Sequence, residues 1–547
     1  VETLADVLNV FHIKISGLSV TISLFLVFLG LLYWYSVYPY SVLSRCGIKH
    51  PKPVPFLGNI FMFHQVRFHW FFNPINELIK THGRVCGYYL GRRPVVVIAD
   101  PVMLRQVIVR DFSSFTNRMT LRFASKPKTD CLLMLRNERW KRVRSILTPS
   151  FSAFPCLVYF LYMVPLINTV TDSLMSNLNV SAESGETFDI HKCFGCFTMD
   201  VIASVAFGTQ VDSQKSPDDP FVRHAQMFFS FSFFRPIMLF FIAFPFITAP
   251  LARFLPNKRR DQMNHFFINT IQKIIKQREE QPAEERRRDF LQLMLDSRLS
   301  KECVSLEHFD SAAHAADQET HPSEPSSRRP QKKMIPEDEI VGQAFVFPLT
   351  GYETSSNTLL PAGRQRKVQR EVEFFARHES PDYTNVQELK YLDMVISETL
   401  RLYPPGFRFA RDIDQDCVLN GQFLPKGATL EIPADEAKAS HHPFVYLPFG
   451  PGPRTCVGMR LAQLEVKLAL VRLFHRFSVV ACSETKVPLE LKSSSTLGPK
   501  NGIFVKIQRR NLQRRRSEFP TRRLETNAHR PLNRHEAFCR STSMRRE

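Results

Sequence analysis

The stretch Phe449-Gly450-Pro451-Gly452-Pro453-Arg454-Thr455-Cys456-Val457-Gly458 carries the plainest chemistry in this chain of 547 residues. Its glycines permit tight turns and close approach of a flat ligand. Pro451 and Pro453 stiffen the loop and withhold amide donors. Met459, Leu461, Leu464, Val466, Leu468 and Leu470 follow, with Arg460, Glu465 and Lys467 between them. That pattern predicts a buried helix and puts Cys456 at its N-terminus. Free amides and the positive end of the helix dipole favour a thiolate there. A thiolate in such a loop, two residues after Arg454, suits axial ligation of haem iron. The competing account is a structural cysteine in a turn.

Other residues are spaced for chemistry. Trp140 and Arg144 are four apart, so one helix face presents an indole N–H beside a guanidinium, a pair able to hold a carboxylate. A surface cation–aromatic pair is the plain alternative. Pro336-Glu337-Asp338-Glu339 opens a helix with acids in its first turn. The helix runs on to Gly351-Tyr352-Glu353-Thr354, where Gly351 leaves room for a ligand and Thr354 bonds to it or relays protons. A backbone-bonded threonine in an ordinary helix is the alternative. Glu398 and Arg401, three apart on a helix expected over 391–403, share a face and can pair.

The cysteine loop resembles the haem-binding loop of the cytochrome P-450 superfamily, matching at Phe449, Gly452, Arg454, Cys456 and Gly458. The resemblance implies a mainly α fold with a small β region, a haem-thiolate domain holding haem b, and Cys456 as the iron ligand. It further implies that Arg118, Trp140, Arg144, Arg408 and Arg454 hold the haem propionates. Gly351, Glu353 and Thr354 would lie on the central helix at the haem face. Glu398 and Arg401 would form a buried pair supporting the loop from behind.

The elements that must position these groups follow in chain order. Residues 15–36 form an uncharged apolar run long enough to cross a bilayer, about 20 residues being needed. Arg45, Lys49 and Lys52 after it place the bulk of the chain in the cytosol. The resemblance makes this a single-pass anchor in the endoplasmic reticulum membrane. His50-Pro51-Lys52-Pro53-Val54-Pro55 reads as a stiff linker. The catalytic domain is expected over 45–508. Two strands are expected around Gly91-Arg92-Arg93. The phenylalanine-rich, proline-broken run 227–255 reads as a segment in the membrane interface above a substrate entrance. Residues 308–333 read as a disordered polar loop. So does the tail 509–547, whose twelve arginines against four glutamates carry +8 of the formal net charge of +20. The tail has no nucleic-acid-binding module pattern, and no nucleic-acid partner is expected. Eleven scattered cysteines show no disulfide framework. The lone Cys193–Cys196 spacing reads as a buried helical position, not a zinc site.

Longer segments, at 113–119, 200–208, 250–258, 283–291, 340–345 and 497–502, resemble the endoperoxide-isomerase branch of the superfamily. That branch implies conversion of prostaglandin H2 to thromboxane A2 by O–O cleavage, with side fragmentation to a hydroxy fatty acid and malondialdehyde. The implied partners are a lipophilic prostaglandin endoperoxide and a membrane, with neither NADPH nor a reductase required. Glu353-Thr354 keeps open an NADPH-dependent monooxygenase of lipophilic substrates. Three stretches depart from the family. The segment between Ile432 and His441 is short and lacks an arginine that joins the Glu398–Arg401 pair. Leu360-Pro361-Ala362-Gly363-Arg364 breaks the link after the central helix, and a proline inside a helix costs about 3 kcal/mol. Residues 154–162 are apolar where a polar helix start is expected. A chain unable to hold haem is the third reading these departures support.

Overall fold

The computed structural model describes residues 17–511, except 64–71, 120–123, 149–156, 217, 230–235, 252–256, 283, 288, 299–302, 305–330, 333, 360–364, 377–380, 407, 434–443 and 494–495. Helix α1 (Gly17–Val37) has no charged residue. At 1.5 Å per residue it is about 30 Å long, the thickness of a hydrocarbon core. Leu24, Phe25, Leu26 and Phe28 stand exposed along it, which suits lipid and not water.

Strands β1 (Val85–Leu90) and β2 (Arg93–Ile98) form a hairpin about Gly91-Arg92, in register Val85 to Ile98. Helices α2 (Asn137–Leu147), α3 (Leu157–Ser184) and α4 (Ile190–Phe207) follow. Helix α4 is also long and apolar enough to span a membrane, but it is largely buried and serves as a core helix. It carries Cys193 and Cys196, whose thiols burial pushes up to about 12. Short helices α5 (Pro236–Ala243) and α6 (Pro245–Leu251) occupy the phenylalanine-rich region. Next come α7 (Lys258–Glu280), α8 (Phe290–Ser297) and the central helix α9 (Glu337–Thr358). After α10 (Lys390–Leu402), strands β3 (Arg408–Asp412) and β4 (Thr429–Pro433) complete a sheet in the order β1-β2-β4-β3, with β4 parallel to β2. Helix α11 (Met459–Arg476) runs into β5 (Phe477–Ala481). Strands β6 (Leu491–Ser493) and β7 (Leu497–Pro499) form a hairpin before β8 (Phe504–Arg509), which pairs with β5.

The acids in the first turn of α9 do more than favour its dipole. Glu339 is 1% exposed. It takes both oxygens to Arg142 at 2.8 and 2.9 Å and one to Arg139, tying α9 to α2. Helices α4 and α9 cross closely because small residues meet there. A Cβ on Gly351 would fall 1.6 Å from Ile202 Cδ1, and one on Gly195 would fall 2.9 Å from the Tyr352 ring. Apolar faces of α3, α4, α10 and α11 build one core cluster; α2, α4, α7, α8 and α9 build another.

Some boundaries differ from expectation. Arg509 ends β8 opposite Phe477, and Arg510 bonds Glu373 and the Phe474 carbonyl, so both belong to the fold and not to the tail. Residues 512–547 lie outside the described part. Most of the expected loop 308–333 also lies outside it, but Gln331–Lys332 pairs as a strand with Cys303–Val304.

Candidate active site

The cysteine loop is shaped by two left-handed glycines, Gly450 and Gly452, with φ of 76° and 64°. A side chain at Gly452 would meet Ile108, its Cβ 2.5 Å from Ile108 Cγ2. The Cys456 amide donates to the Phe449 carbonyl at 2.8 Å, closing the loop. Helix α11 starts at Met459, so Cys456 lies three residues before the helix and not in its first turn. Its sulfur accepts from the Gly458 N–H, and Arg144 and Arg118 also favour the thiolate. Burial outweighs these effects and pushes the thiol pKa up, contrary to the expected depression. Cys456 is accessible because it faces a cavity, although protein surrounds it.

Two arginines clamp the carbonyls just before the cysteine. Arg144 Nη1 donates to the Thr455 carbonyl at 2.9 Å, and Arg118 Nη2 to the Arg454 carbonyl at 3.0 Å. Arg454 points the other way. It donates to the carbonyls of Thr116 and Leu135, both at 2.9 Å, with its guanidinium 3.9 Å from the Trp140 ring centroid. Trp140 and Arg144 therefore do share a face of α2, turned toward the loop.

A fourth cation was missed from sequence. Arg411 on β3 is 3% exposed, and its hydrogen bond among the described residues is to the Ala410 carbonyl at 3.3 Å. Burial and then the nearness of Arg118 lower its pKa to about 9. Burial likewise lowers those of Arg118, Arg144 and Arg454, and Arg454 is pushed further by Arg118, Arg411 and Arg144. Arg408 is elsewhere. It is paired with Glu431 at 2.6 Å, beside the Tyr88 hydroxyl, and not grouped with Arg118; neither it nor Arg411 lines the cavity. Residues an odd number apart on a strand point to opposite faces. That parity separates Arg408 from Arg411 and could have flagged the choice.

The cavity measures about 300 Å³ and is mostly apolar; Cys456, Phe449, Trp140, Ile202, Gly351 and Thr354 are among its walls. Gly351, Thr354, Ser355 and Thr358 line it with helical i, i+3, i+4, i+7 spacing. Glu353 is off that face. It is 2% exposed and lies 2.9 Å from Lys492 Nζ on β6, an ion-pair distance without hydrogen-bond alignment. The same periodicity could have excluded it from the cavity. Thr354 donates to the Thr350 carbonyl at 2.6 Å, the backbone-bonded alternative. The space expected beside Gly351 is taken by Ile202. Glu398 and Arg401 do pair, at 2.7 and 2.8 Å, but their side chains are 55% and 33% exposed and not buried as expected. The shortened segment, 434–440, which lacks the arginine expected to join the pair, lies outside the described residues.

Three buried guanidiniums, with the half-buried Arg118, repel each other around one loop unless anions join them. A flat apolar group bearing two carboxylates, whose metal would be held by the Cys456 sulfur, would match this donor set. The residues present therefore fit haem.

The cytochrome P450 family profile matches residues 48–435 and 433–507, and the chain belongs to that family. It is 45% identical to thromboxane-A synthase of Macaca fascicularis over 92% of this chain and 99% of that protein. The thromboxane-A synthase of Sus scrofa matches to the same extent. Human cytochrome P450 3A5 is 34% identical over 88% of this chain and 95% of that protein.

Proposed function

We propose that the chain is a membrane-anchored haem-thiolate isomerase that converts prostaglandin H2 to thromboxane A2. The carrying observation is 45% identity over nearly the whole length of thromboxane-A synthases, against 34% for cytochrome P450 3A5. Haem bound through Cys456 supplies an iron centre whose thiolate ligand favours O–O cleavage.

The chain's own residues then do the following. Arg118, Arg144, Arg411 and Arg454 balance the haem carboxylates, and Trp140 backs the Arg454 guanidinium. Phe449 would pack on the haem beside Cys456, and the apolar walls hold the acyl chains and exclude water from charge that develops on carbon. Fragmentation to a hydroxy fatty acid and malondialdehyde is the side outcome of the same site. Glu353 is turned to Lys492 and off the cavity, and the carboxyl in the wall is Glu465. Isomerisation of the endoperoxide is redox-neutral, so no electrons need be supplied. Neither NADPH nor a reductase is then required. Arg45, Lys49 and Lys52 beyond α1 put the catalytic body on the cytosolic side, with the endoplasmic reticulum as its membrane.

The test is turnover of the endoperoxide by membrane-expressed protein with no NADPH present. Thromboxane formation is expected; strict dependence on NADPH overturns the proposal.

A further inference from the structure

The turn between β1 and β2 carries Arg92 to the junction where α1 meets α5. Its guanidinium carbon lies 3.6 Å from the Tyr35 ring centroid, near the end of α1. Its Nε is buried and has no hydrogen-bond partner. Among the described residues no carboxylate pairs with Arg92, whereas Arg93 next to it is paired with Asp412.

The surroundings are aromatic and apolar. Tyr35 stacks on Phe244 at 6.0 Å, and Phe244 meets Phe56 at 5.4 Å. Gly91 lets Ile242 of α5 lie against the turn, since a Cβ there would fall 2.4 Å from Ile242 Cγ2. Tyr40, the titratable group on which Arg92 acts, has its hydroxyl committed to the Val54 carbonyl and the Gly58 amide. Around this junction Tyr38, Val54, Ile237, Phe240, Phe246 and Ile247 are exposed. An exposed apolar surface continuous with a bilayer-length helix sits in lipid. Trp34 and Tyr35 mark the headgroup level, because amphipathic rings settle there. Arg92 is thus a cation at headgroup depth, held by a ring face and lacking an anion.

We propose that Arg92 and Tyr35 form a binding site for the anionic head of a membrane lipid, either a phospholipid phosphate or a fatty-acid carboxylate. The planar guanidinium suits either group, since both accept two parallel N–H bonds. The stacked tyrosine fixes the plane of the fork in advance. A lipid seated there joins α1, the β1–β2 turn and α5 through one charged contact. The site lies on the membrane side of the molecule and does not depend on what the cavity catalyses.

The full-length protein in nanodiscs of neutral phosphatidylcholine tests this. Spin-labelled phosphatidic acid and spin-labelled stearate are titrated in separately, and the motionally restricted fraction gives each affinity. A single cation beside anionic lipid changes affinity about fivefold. Arg92→Gln is therefore expected to weaken binding about fivefold, Arg92→Lys, which keeps the charge but loses the fork, to weaken it less than that, and Arg476→Gln, an exposed arginine at the end of α11, to change nothing. Loss with the phospholipid alone assigns the phosphate, loss with stearate alone assigns the carboxylate, and loss with both assigns a shared site. Unchanged binding of both probes by Arg92→Gln overturns the proposal. So does an equal loss with a spin-labelled phosphatidylcholine, because the site would then not select a net anionic head.

Discussion

Replacing Lys492 by methionine isolates the ion pair that takes Glu353 away from the cavity. Glu353 is 2% exposed, while the Lys492 side chain is 38% exposed. Removing one member of a fully buried pair costs about 3–5 kcal/mol, because the other charge is left without compensation. A wholly exposed pair is worth about 0–1 kcal/mol. One end of this pair is dry and the other reaches water, so K492M should cost about 2 kcal/mol. His191 cannot take over from the ammonium. Burial holds its pKa below the ordinary value, and its Nε2 is shared with Asn357 Oδ1 at 2.7 Å. The double variant E353Q/K492M should recover most of the loss, since no charge is then stranded. Denaturant unfolding of the solubilised protein, followed by far-UV circular dichroism, measures both. The double variant should keep endoperoxide turnover within about twofold, because the Glu353 carboxyl does not line the cavity. The reasoning is refuted if K492M is as stable as the parent. It is equally refuted if E353Q/K492M loses turnover by about a hundredfold, which would put Glu353 in the chemistry.

Burial raises the Glu465 carboxyl from 4.5 to about 8, with Ser355 partly opposing the shift. The folded chain then keeps this proton where the unfolded chain has lost it. Stability falls as pH rises from about 4.5 to about 8, by up to about 5 kcal/mol at roughly 1.4 kcal/mol per unit. Glu465→Gln should flatten that slope and raise the melting temperature at pH 7.5; an unchanged slope contradicts the assignment. Arg411→Leu should speed haem transfer to an apoglobin by about tenfold to a hundredfold, the worth of a charged hydrogen bond. Arg408→Leu should leave that rate near the parent's, and the reverse order would restore Arg408 to the propionate site. Cys456→Ser should abolish the red-shifted Soret band of the reduced carbon-monoxide complex, which the parent protein should show. Absence of the band in the parent itself would mean that this chain does not hold haem through Cys456.

Much of the site was legible because its signals are local. The glycines, prolines and cysteine of 449–458 specify a loop wherever they occur. The uncharged run at α1 is decided by length and composition alone, as are the acids that open α9. Trp140 and Arg144 share a face because four residues make about one turn. The functional class came from the resemblance of these motifs and the longer segments to a known family.

Other features depended on what packs against each residue. Which of Arg408 and Arg411 joins the cation cluster is set by the pairing of β3 with β4, where Arg408 meets Glu431. The direction of Glu353 is set by β6, more than a hundred residues away in sequence. Gly351 looked like space for a ligand until Ile202 of α4 was seen to fill it. The Cys456 thiol is raised and not lowered because burial, a property of the whole fold, outweighs one amide and two guanidiniums. The sequence by itself determined which groups exist and which short segments present them, since backbone preference and local spacing act over a few residues. Only the tertiary structure decided which groups share the cavity, because burial and ion pairing are sums over neighbours brought from distant parts of the chain.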